Sequence, residues 1–192
     1  DAGRIKTQTD RNGDTTTLSY TPTSKLKTIS YQDSSQTTFS YDSRDNLETM
    51  VDPSGTTTNH YDDINRLTDH TDPNGFQVQY QYDEAGNLDT LTYPGNKTVS
   101  YGYDALNRLK TVKIDWLTGT PTTTYHYDAS GRMYQADQAN GTTTSYSHDN
   151  ANRLKGVTHT KNNQSQTLAD YQYTLDANGN RIKALVDAPI LP

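Results

Sequence analysis

Hydrophobic and polar residues alternate along short stretches of the chain. The clearest examples are residues 77–82 (QVQYQY) and 97–103 (KTVSYGY), which are rich in aromatic or β-branched residues. A period of two with this composition predicts half-buried β-strands, packed on one face and wet on the other. Clusters of Asp, Asn, Gly and Pro separate the stretches and are typical of tight turns. The pattern predicts a repeated order of strand, turn, strand, turn, and it predicts no helix.

The alternating stretches belong to a unit that recurs about every 21 residues and ends in Tyr-Asp. Worn copies of the pair stand at residues 20–21, 148–149 and 175–176. A fixed period of this length is typical of repeat proteins, whose single units are too small to bury a core. The sequence predicts an array of about nine hairpin units over residues 1–183, the first truncated, and a non-repeat apolar tail over residues 184–192. The intact pairs are Tyr41-Asp42, Tyr61-Asp62, Tyr82-Asp83, Tyr103-Asp104 and Tyr127-Asp128.

Each unit carries two turns. The first begins at the Asp of the pair, and the third residue after it is usually Gly or Asn, as at Gly86 and Gly131. These residue types tolerate a positive φ, and Asp followed by Gly three residues later is typical of a type I turn. The fourth residue is Arg or Asn, as at Arg108 and Arg132, and the fifth is aliphatic. We expect the Arg to pair with the Asp of its own turn or with a neighbouring turn.

Successive hairpins are expected to pair side by side in one long antiparallel sheet. A sheet of about 18 strands cannot stay flat, so the fold class predicted is all-β, with tandem hairpins in a curled antiparallel sheet. Two insertions interrupt the period, at residues 114–121 and 158–170. Both are predicted to be loops that leave one face of the sheet.

Composition narrows the possible functions. Tyr is the main large apolar residue, with 15 copies against two Phe and one Trp, and only 30% of residues are hydrophobic. Tyr combines an apolar ring with a polar tip, which suits surfaces that are partly buried and partly wet. The net charge of −6 gives no electrostatic reason to expect nucleic acid as a partner. No apolar stretch approaches the length of a membrane span, and the absence of Cys excludes a disulfide scaffold or a thiol nucleophile.

The repeat unit resembles the Rhs or YD-repeat family. The matching pattern is Tyr-Asp-x-x-Gly-Arg-Leu, a turn, and then Gly-x-x-x-x-Tyr-x-Tyr-Asp; residues 83–88 and 127–133 are close copies. The resemblance covers nearly the whole chain up to about Lys183. It implies β-hairpins that wind into a hollow shell, of which this chain would form an arc. In bacterial polymorphic toxins and insecticidal toxin complexes such shells enclose a toxic C-terminal domain, and related animal shells belong to adhesion proteins.

The resemblance suggests one candidate catalytic site, a pair of aspartates. Some bacterial shells of the family carry a self-cleaving aspartate site built from two Asp-Pro-x-Gly motifs, and this chain has such motifs at Asp52 and Asp72. An aspartyl protease needs two carboxylates that share a proton. Both motifs fall at the same place in successive units, about 10 Å apart in the predicted sheet. We therefore interpret both as turns. The five His residues lack metal-ligand spacing, and no cofactor or metal is predicted.

The leading hypothesis is a structural module with no catalysis, part of a β-shell that encloses or displays a C-terminal polypeptide. Its partners would be other repeats of the parent protein and the enclosed domain, without nucleic acid or a membrane span. The alternative is an adhesion module that binds glycans or a cell surface through Tyr-rich strands, since aromatic faces suit sugar rings. The resemblance implies a protein that is secreted, displayed at the cell surface or delivered into target cells.

Overall fold

The computed structural model describes residues 3–161 and 166–188, and within these ranges the chain consists of strands and turns without a helix. Most strands have five to seven residues, as expected for a unit of about 21 residues with two turns. The strands are β1 (Thr7–Thr9), β2 (Thr15–Tyr20), β3 (Leu26–Ser30), β4 (Gln36–Tyr41), β5 (Leu47–Asp52), β6 (Gly55–Tyr61), β7 (Leu67–Thr71), β8 (Gln77–Tyr82), β9 (Leu88–Tyr93), β10 (Lys97–Tyr103), β11 (Leu109–Ile114), β12 (Thr122–Tyr127), β13 (Met133–Asp137), β14 (Thr142–His148), β15 (Leu154–Lys161), β16 (Gln166–Leu175) and β17 (Arg181–Asp187).

The chain divides into two compact subdomains, each of which contains several repeat units. The first comprises Asp1–Tyr82 with Thr90–Asn96, and the second comprises Asp83–Asp89 with Lys97–Pro192, so that β9 contributes residues to both. In the first subdomain, β1 to β8 pair antiparallel, each with the next strand in sequence. The same holds for β10 to β17 in the second subdomain. The prediction of an all-β array of antiparallel hairpins is confirmed.

In many of the strands, partly buried residues alternate with residues that are open to solvent. In β8 the exposed residues are glutamines, while Val78, Tyr80 and Tyr82 between them are half-buried. Within each subdomain the described strands contact only their neighbours in sequence, so the described strands of a subdomain form no second layer over its sheet. Among the described residues only Val99 and Ala136 are buried hydrophobics. The half-buried aromatic and aliphatic rows therefore take the place of a conventional core.

The first turn of each unit forces a local irregularity into the ladder. In the hairpin between β6 and β7, the amide of Asn65 donates to the carbonyl of Asp62 at 3.1 Å, and the amide of Asp62 donates to Arg66 at 2.9 Å. Asn65 has a φ of 65°, and the pairing register shifts between His60 and Tyr61. This is a type I turn followed by a left-handed residue and a bulge. The positive φ predicted at the third residue is confirmed, here and at Gly86 and Gly131.

Two expectations about the irregular parts of the chain need correction or comment. The loop predicted over residues 158–170 is wrong for most of its length, because β15 extends to Lys161 and β16 starts at Gln166, and the two strands pair there. Residues 162–165 lie outside the described residues. At residues 115–121 the insertion does form the connection between β11 and β12. Residues 184–187, assigned to the tail on the sequence, continue β17 opposite β16; residues 189–192 lie outside the described part.

Candidate functional site

The geometry that recurs from repeat to repeat is found at the Tyr-Asp hairpin, where the Asp closes the first turn. One carboxylate oxygen of Asp62, Oδ1, accepts the backbone N–H groups of Ile64 at 3.0 Å and Arg66 at 2.9 Å. The other, Oδ2, accepts Nε of Arg66 at 2.6 Å. An Asp in this place satisfies two backbone donors that the turn would otherwise leave open. The same Asp–Arg pairing is found at Asp104, Asp128 and Asp149.

These hydrogen bonds keep the carboxylates ionised. The pKa of Asp104 lies below its ordinary value because the side chain and backbone N–H of Arg108 both donate to the charged form. The pKa is lowered for the same reason where Asn replaces Arg, with Asn46 donating to Asp42 and Asn87 donating to Asp83. A first turn that begins with Asp is thus closed by a carboxylate that is charged at neutral pH.

The Tyr of the pair ties each unit to the one before it. The hydroxyl of Tyr82 donates to the backbone carbonyl of Leu67 at 2.9 Å, and that of Tyr103 donates to Leu88 at 2.9 Å. The acceptor is always the aliphatic residue that follows the previous first turn. Burial raises the pKa of the Tyr82 and Tyr103 phenols, because the charged phenolate would lose hydration there. Equivalent bonds join Tyr41 to Leu26, Tyr61 to Leu47 and Tyr127 to Leu109.

The residue four places after the Asp reaches forward to the next unit. The guanidinium of Arg66 lies 4.4 Å from the centroid of the Tyr82 ring, and that of Arg108 lies 4.4 Å from the Tyr127 ring. Such contacts are worth about 0.5–1 kcal/mol at exposed sites. Where Asn or another Arg fills the place, it bonds to the next turn instead: Asn46 to Asn65 at 2.8 Å, Asn87 to Asn107 at 3.3 Å and Arg132 to Asn152 at 2.7 Å.

These contacts show which parts of the site the sequence predicted. The turn role of the Asp and its pairing with Arg are confirmed by the hydrogen bonds. The expected contact of the fourth residue with a neighbouring turn is also present, from Arg132 to Asn152. The Tyr hydroxyl bond to the previous unit and the placement of Arg over the next Tyr ring were missed. Their signal in the sequence is the joint recurrence of Tyr, Arg or Asn and an aliphatic residue in fixed places. The recurrence alone does not indicate which carbonyl the Tyr hydroxyl binds, because that depends on how the neighbouring hairpin is placed beside it.

Both aspartates of the Asp-Pro-x-Gly motifs accept hydrogen bonds inside their own turns. Oδ1 of Asp52 accepts the amide of Ser54 at 2.7 Å, and Oδ1 of Asp72 accepts the amides of Asn74 and Phe76, each at 2.9 Å. The bond from Phe76 is the main reason that the pKa of Asp72 is lowered. Each carboxylate is thus used by the backbone of its own turn, and this geometry favours the turn interpretation over an acid–base role.

Several histidines have cross-strand partners. His60 lies 2.9 Å from Asp69. His70 contacts Asn59 at 2.8 Å, and His159 contacts Thr144 at 3.0 Å. Within residues 3–161 and 166–188, no group of three or more His, Asp or Glu side chains is arranged to hold a metal ion. The histidines thus contribute to strand pairing.

The repeated hairpin, with its Asp-closed turn and its Tyr tie, defines the class of tandem β-hairpin repeat proteins. Within that class, residues 23–57 and 61–98 match the family model described as RHS Repeat. The match confirms the resemblance to the Rhs/YD-repeat family. No match was found among the curated proteins.

Solved structures of toxin complexes share the fold. The "Structure of Photorhabdus luminescens Tc holotoxin pore", with a mutated TccC3, matches with a TM-score of 0.79 at 19% identity. The "Crystal Structure of TcdB2-TccC3" matches with a TM-score of 0.77 at 17% identity. Each match covers 97% of this chain and 11% of the other, so the chain spans about a tenth of the length of the chains it matches. At these identities the likeness shows the fold alone.

A search of the described residues for a helix long and apolar enough to cross a membrane found none.

Proposed function

We propose that the chain is a segment of the wall of a β-shell that encloses or displays another polypeptide, and that it does no chemistry itself. The proposal rests on one observation: the polar side chains of the repeats are engaged in hydrogen bonds to the array itself. The hydroxyl of Tyr82 is bonded to Leu67, and the carboxylate of Asp62 is bonded to its own turn and to Arg66. The phenols therefore hold one hairpin to the one before it, and the carboxylates close the turns.

The RHS Repeat match and the shared fold with the Tc toxin structures support a structural repeat role. One matching structure is described as "TcdB2-TccC3 without hypervariable C-terminal region", so the protein in that structure has a variable segment that can be removed. We propose that this chain likewise serves a larger assembly whose variable part is a separate polypeptide. Secretion or delivery into a target cell is part of the same proposal.

The first experiment reads the open reading frame that contains residues 1–192. Many further repeats followed by an unrelated C-terminal domain are expected. A short array beside a surface anchor would contradict the shell and favour the adhesive alternative.

A second experiment tests enclosure directly on the parent protein. The C-terminal polypeptide is expected to resist protease in the intact parent and to be digested quickly when expressed alone. The double variant Tyr82→Phe and Tyr103→Phe, which removes two ties between units, should speed its digestion. Tyr31→Phe is the matched control, because the Tyr31 side chain is exposed and has no hydroxyl bond among the described residues. Equal digestion of the attached and the free polypeptide would refute enclosure.

A glycan array separates the proposal from the adhesive alternative. The ring faces of the pair tyrosines are half-buried, so stacking on sugars would have to use exposed rings such as Tyr31 and Tyr134, which are 41% and 43% exposed. A wall segment is expected to bind no glycan on the array. Binding that is lost in Tyr31→Ala or Tyr134→Ala would make adhesion the better account.

A further inference from the structure

Four Asn-Gly steps lie in exposed turns, at Asn12, Asn74, Asn140 and Asn178. In an Asn-Gly step, the backbone nitrogen of the Gly can attack the side-chain amide carbon of the Asn. All four Asn residues are exposed, and each following Gly has a positive φ. Exposure and backbone conformation therefore do not distinguish the four steps, and the hydrogen bonds around each amide must do so.

Three of the four turns begin with an Asp that binds the backbone beyond the Asn-Gly step. Oδ1 of Asp10 accepts the amide of Asp14 at 3.0 Å, and Oδ1 of Asp72 accepts the amide of Phe76 at 2.9 Å. Oδ1 of Asp176 accepts the amide of Asn180 at 2.8 Å. In these turns the N–H that lies two residues after the Asn is already occupied by the carboxylate.

The turn at residues 138–141 begins with Gln138 and lacks that carboxylate. Both donors of Thr142 bond to Asn140 instead: the backbone N–H at 3.0 Å and the hydroxyl at 2.7 Å, each to Oδ1. Because a backbone N–H only donates, the atom it contacts is the amide oxygen and not the amide nitrogen. The side-chain amide oxygen of Asn140 therefore carries two donors, both from the residue that follows Gly141.

We propose that Asn140 is a site of intramolecular self-modification, in which the Asn-Gly step closes to a succinimide and opens to an aspartyl or isoaspartyl residue. Solvent hydroxide takes the proton of the Gly141 nitrogen, and this nitrogen forms a bond to Cγ of Asn140. Negative charge develops on Oδ1, where the two Thr142 donors stabilise it as an oxyanion hole does. The bond from Cγ to Nδ2 then breaks as a solvent water molecule donates a proton to Nδ2, so that ammonia leaves and hydroxide is regenerated. Water opens the ring at either carbonyl.

One hydrogen bond within the turn opposes the reaction. The Gly141 N–H donates to the Gln138 carbonyl at 3.0 Å, so the turn must open briefly before attack.

The turn at residues 31–34 shows how the product would be accommodated. Asp33 occupies the place that Asn140 has in its own turn, and Oδ1 of Asp33 accepts the amide and hydroxyl of Ser35 at 2.9 and 2.6 Å. An aspartyl residue at 140 would make the same two bonds with Thr142 and would add one negative charge to the turn.

The test is a peptide map of the purified chain during incubation in mildly alkaline buffer. Mass spectrometry would follow the mass gain from replacing NH₂ by OH at each of the four steps. Asn140 is expected to react first. A hydrogen bond that strengthens in the transition state corresponds to about two- to tenfold in rate, so Thr142→Val should slow Asn140 by that factor while Thr142→Ser keeps the rate.

Two further measurements separate the turn geometry from local sequence. Gln138→Asp supplies the missing carboxylate, which should bind the Thr142 amide and slow Asn140 toward the rate of Asn12. In denaturant the preference for Asn140 should disappear, because the hydrogen bonds are gone. The proposal is overturned if Asn140 reacts no faster than Asn12 and Asn178. It also fails if Thr142→Val leaves the rate unchanged, or if the preference for Asn140 persists in denaturant.

Discussion

Removal of a single Tyr hydroxyl should destabilise the array by an amount that depends on what else the acceptor carbonyl binds. Tyr82→Phe keeps the ring under the Arg66 guanidinium but deletes the hydroxyl bond to the Leu67 carbonyl, 2.9 Å long. Tyr61→Phe deletes the equivalent 3.0 Å bond to the Leu47 carbonyl. The two variants are matched in chemistry and in repeat position, and they differ at the acceptor.

The Leu47 carbonyl has a second side-chain donor, since Nδ2 of Asn59 lies 3.1 Å from the same oxygen. No such second donor contacts the Leu67 carbonyl among the described residues. An intramolecular hydrogen bond contributes about 0.5–1.5 kcal/mol net, and an acceptor left unsatisfied adds to the loss. We expect Tyr82→Phe to lower the free energy of unfolding by about 1–1.5 kcal/mol and Tyr61→Phe by only about 0.5 kcal/mol.

Urea unfolding followed by circular dichroism measures the two losses, from the midpoint and the slope of each transition. Native-state hydrogen exchange gives a local measure, because the amides of β7 and β8 should lose more protection in Tyr82→Phe than those of β5 and β6 lose in Tyr61→Phe. If Tyr61→Phe costs as much as Tyr82→Phe, the account of the shared carbonyl is refuted. If neither variant has an effect, the ties between units do not stabilise the array.

Three further predictions concern the turns. The lowered pKa of Asp104 means that its contribution to stability is present above the ordinary pKa of 3.8 and is lost as pH falls below it; the difference in urea midpoint between the wild type and Asp104→Asn should therefore shrink below that pH. Gly55→Ala should destabilise by about 1–3 kcal/mol, because φ is 132° there and the added Cβ would lie 3.0 Å from Cβ of Pro73. Gly75→Ala, at φ 81° with open space around it, is the control and should cost less in thermal melts; equal losses would show that the contact does not matter. Arg108→Lys should cost about 0.5–1 kcal/mol, since a lysine keeps the charge but loses the planar group over the next tyrosine ring; an unchanged urea midpoint would argue that the ring contact contributes nothing.

The sequence predicted the hairpins well because their information is local. Alternation in residues 77–82 marks a half-buried strand, and Asp followed by Gly or Asn marks a turn whose third residue needs a positive φ. The same reasoning assigned Asp62 to its turn and paired it with Arg66. These features lie within a few residues of one another, so the residue types alone carry them.

Features that depend on the neighbouring unit were harder to predict. The bond from Tyr82 to Leu67 spans 15 residues, and its existence depends on how far one hairpin is displaced along the next. The sequence predicts a loop over residues 158–170, where β15 ends and β16 begins, because these residues are polar and break the period. Their Thr and Asp side chains still pair across strands, as Thr158 does with Asp170 at 2.7 Å. Polarity misled the prediction because a sheet without a second layer does not need apolar residues in every strand.

The ties between units also set how such a chain can fold. The hydrogen bonds from the Tyr of a Tyr-Asp pair to the previous repeat span 14 to 18 residues. Within each subdomain, every described strand pairs only with its neighbours in sequence. Large β-proteins usually fold slowly because distant strands must find each other first. Here each new hairpin needs only the one before it, so loop closure costs the same small amount of entropy at every step. A hairpin array of this kind can form in order during synthesis, one hairpin at a time as the chain leaves the ribosome.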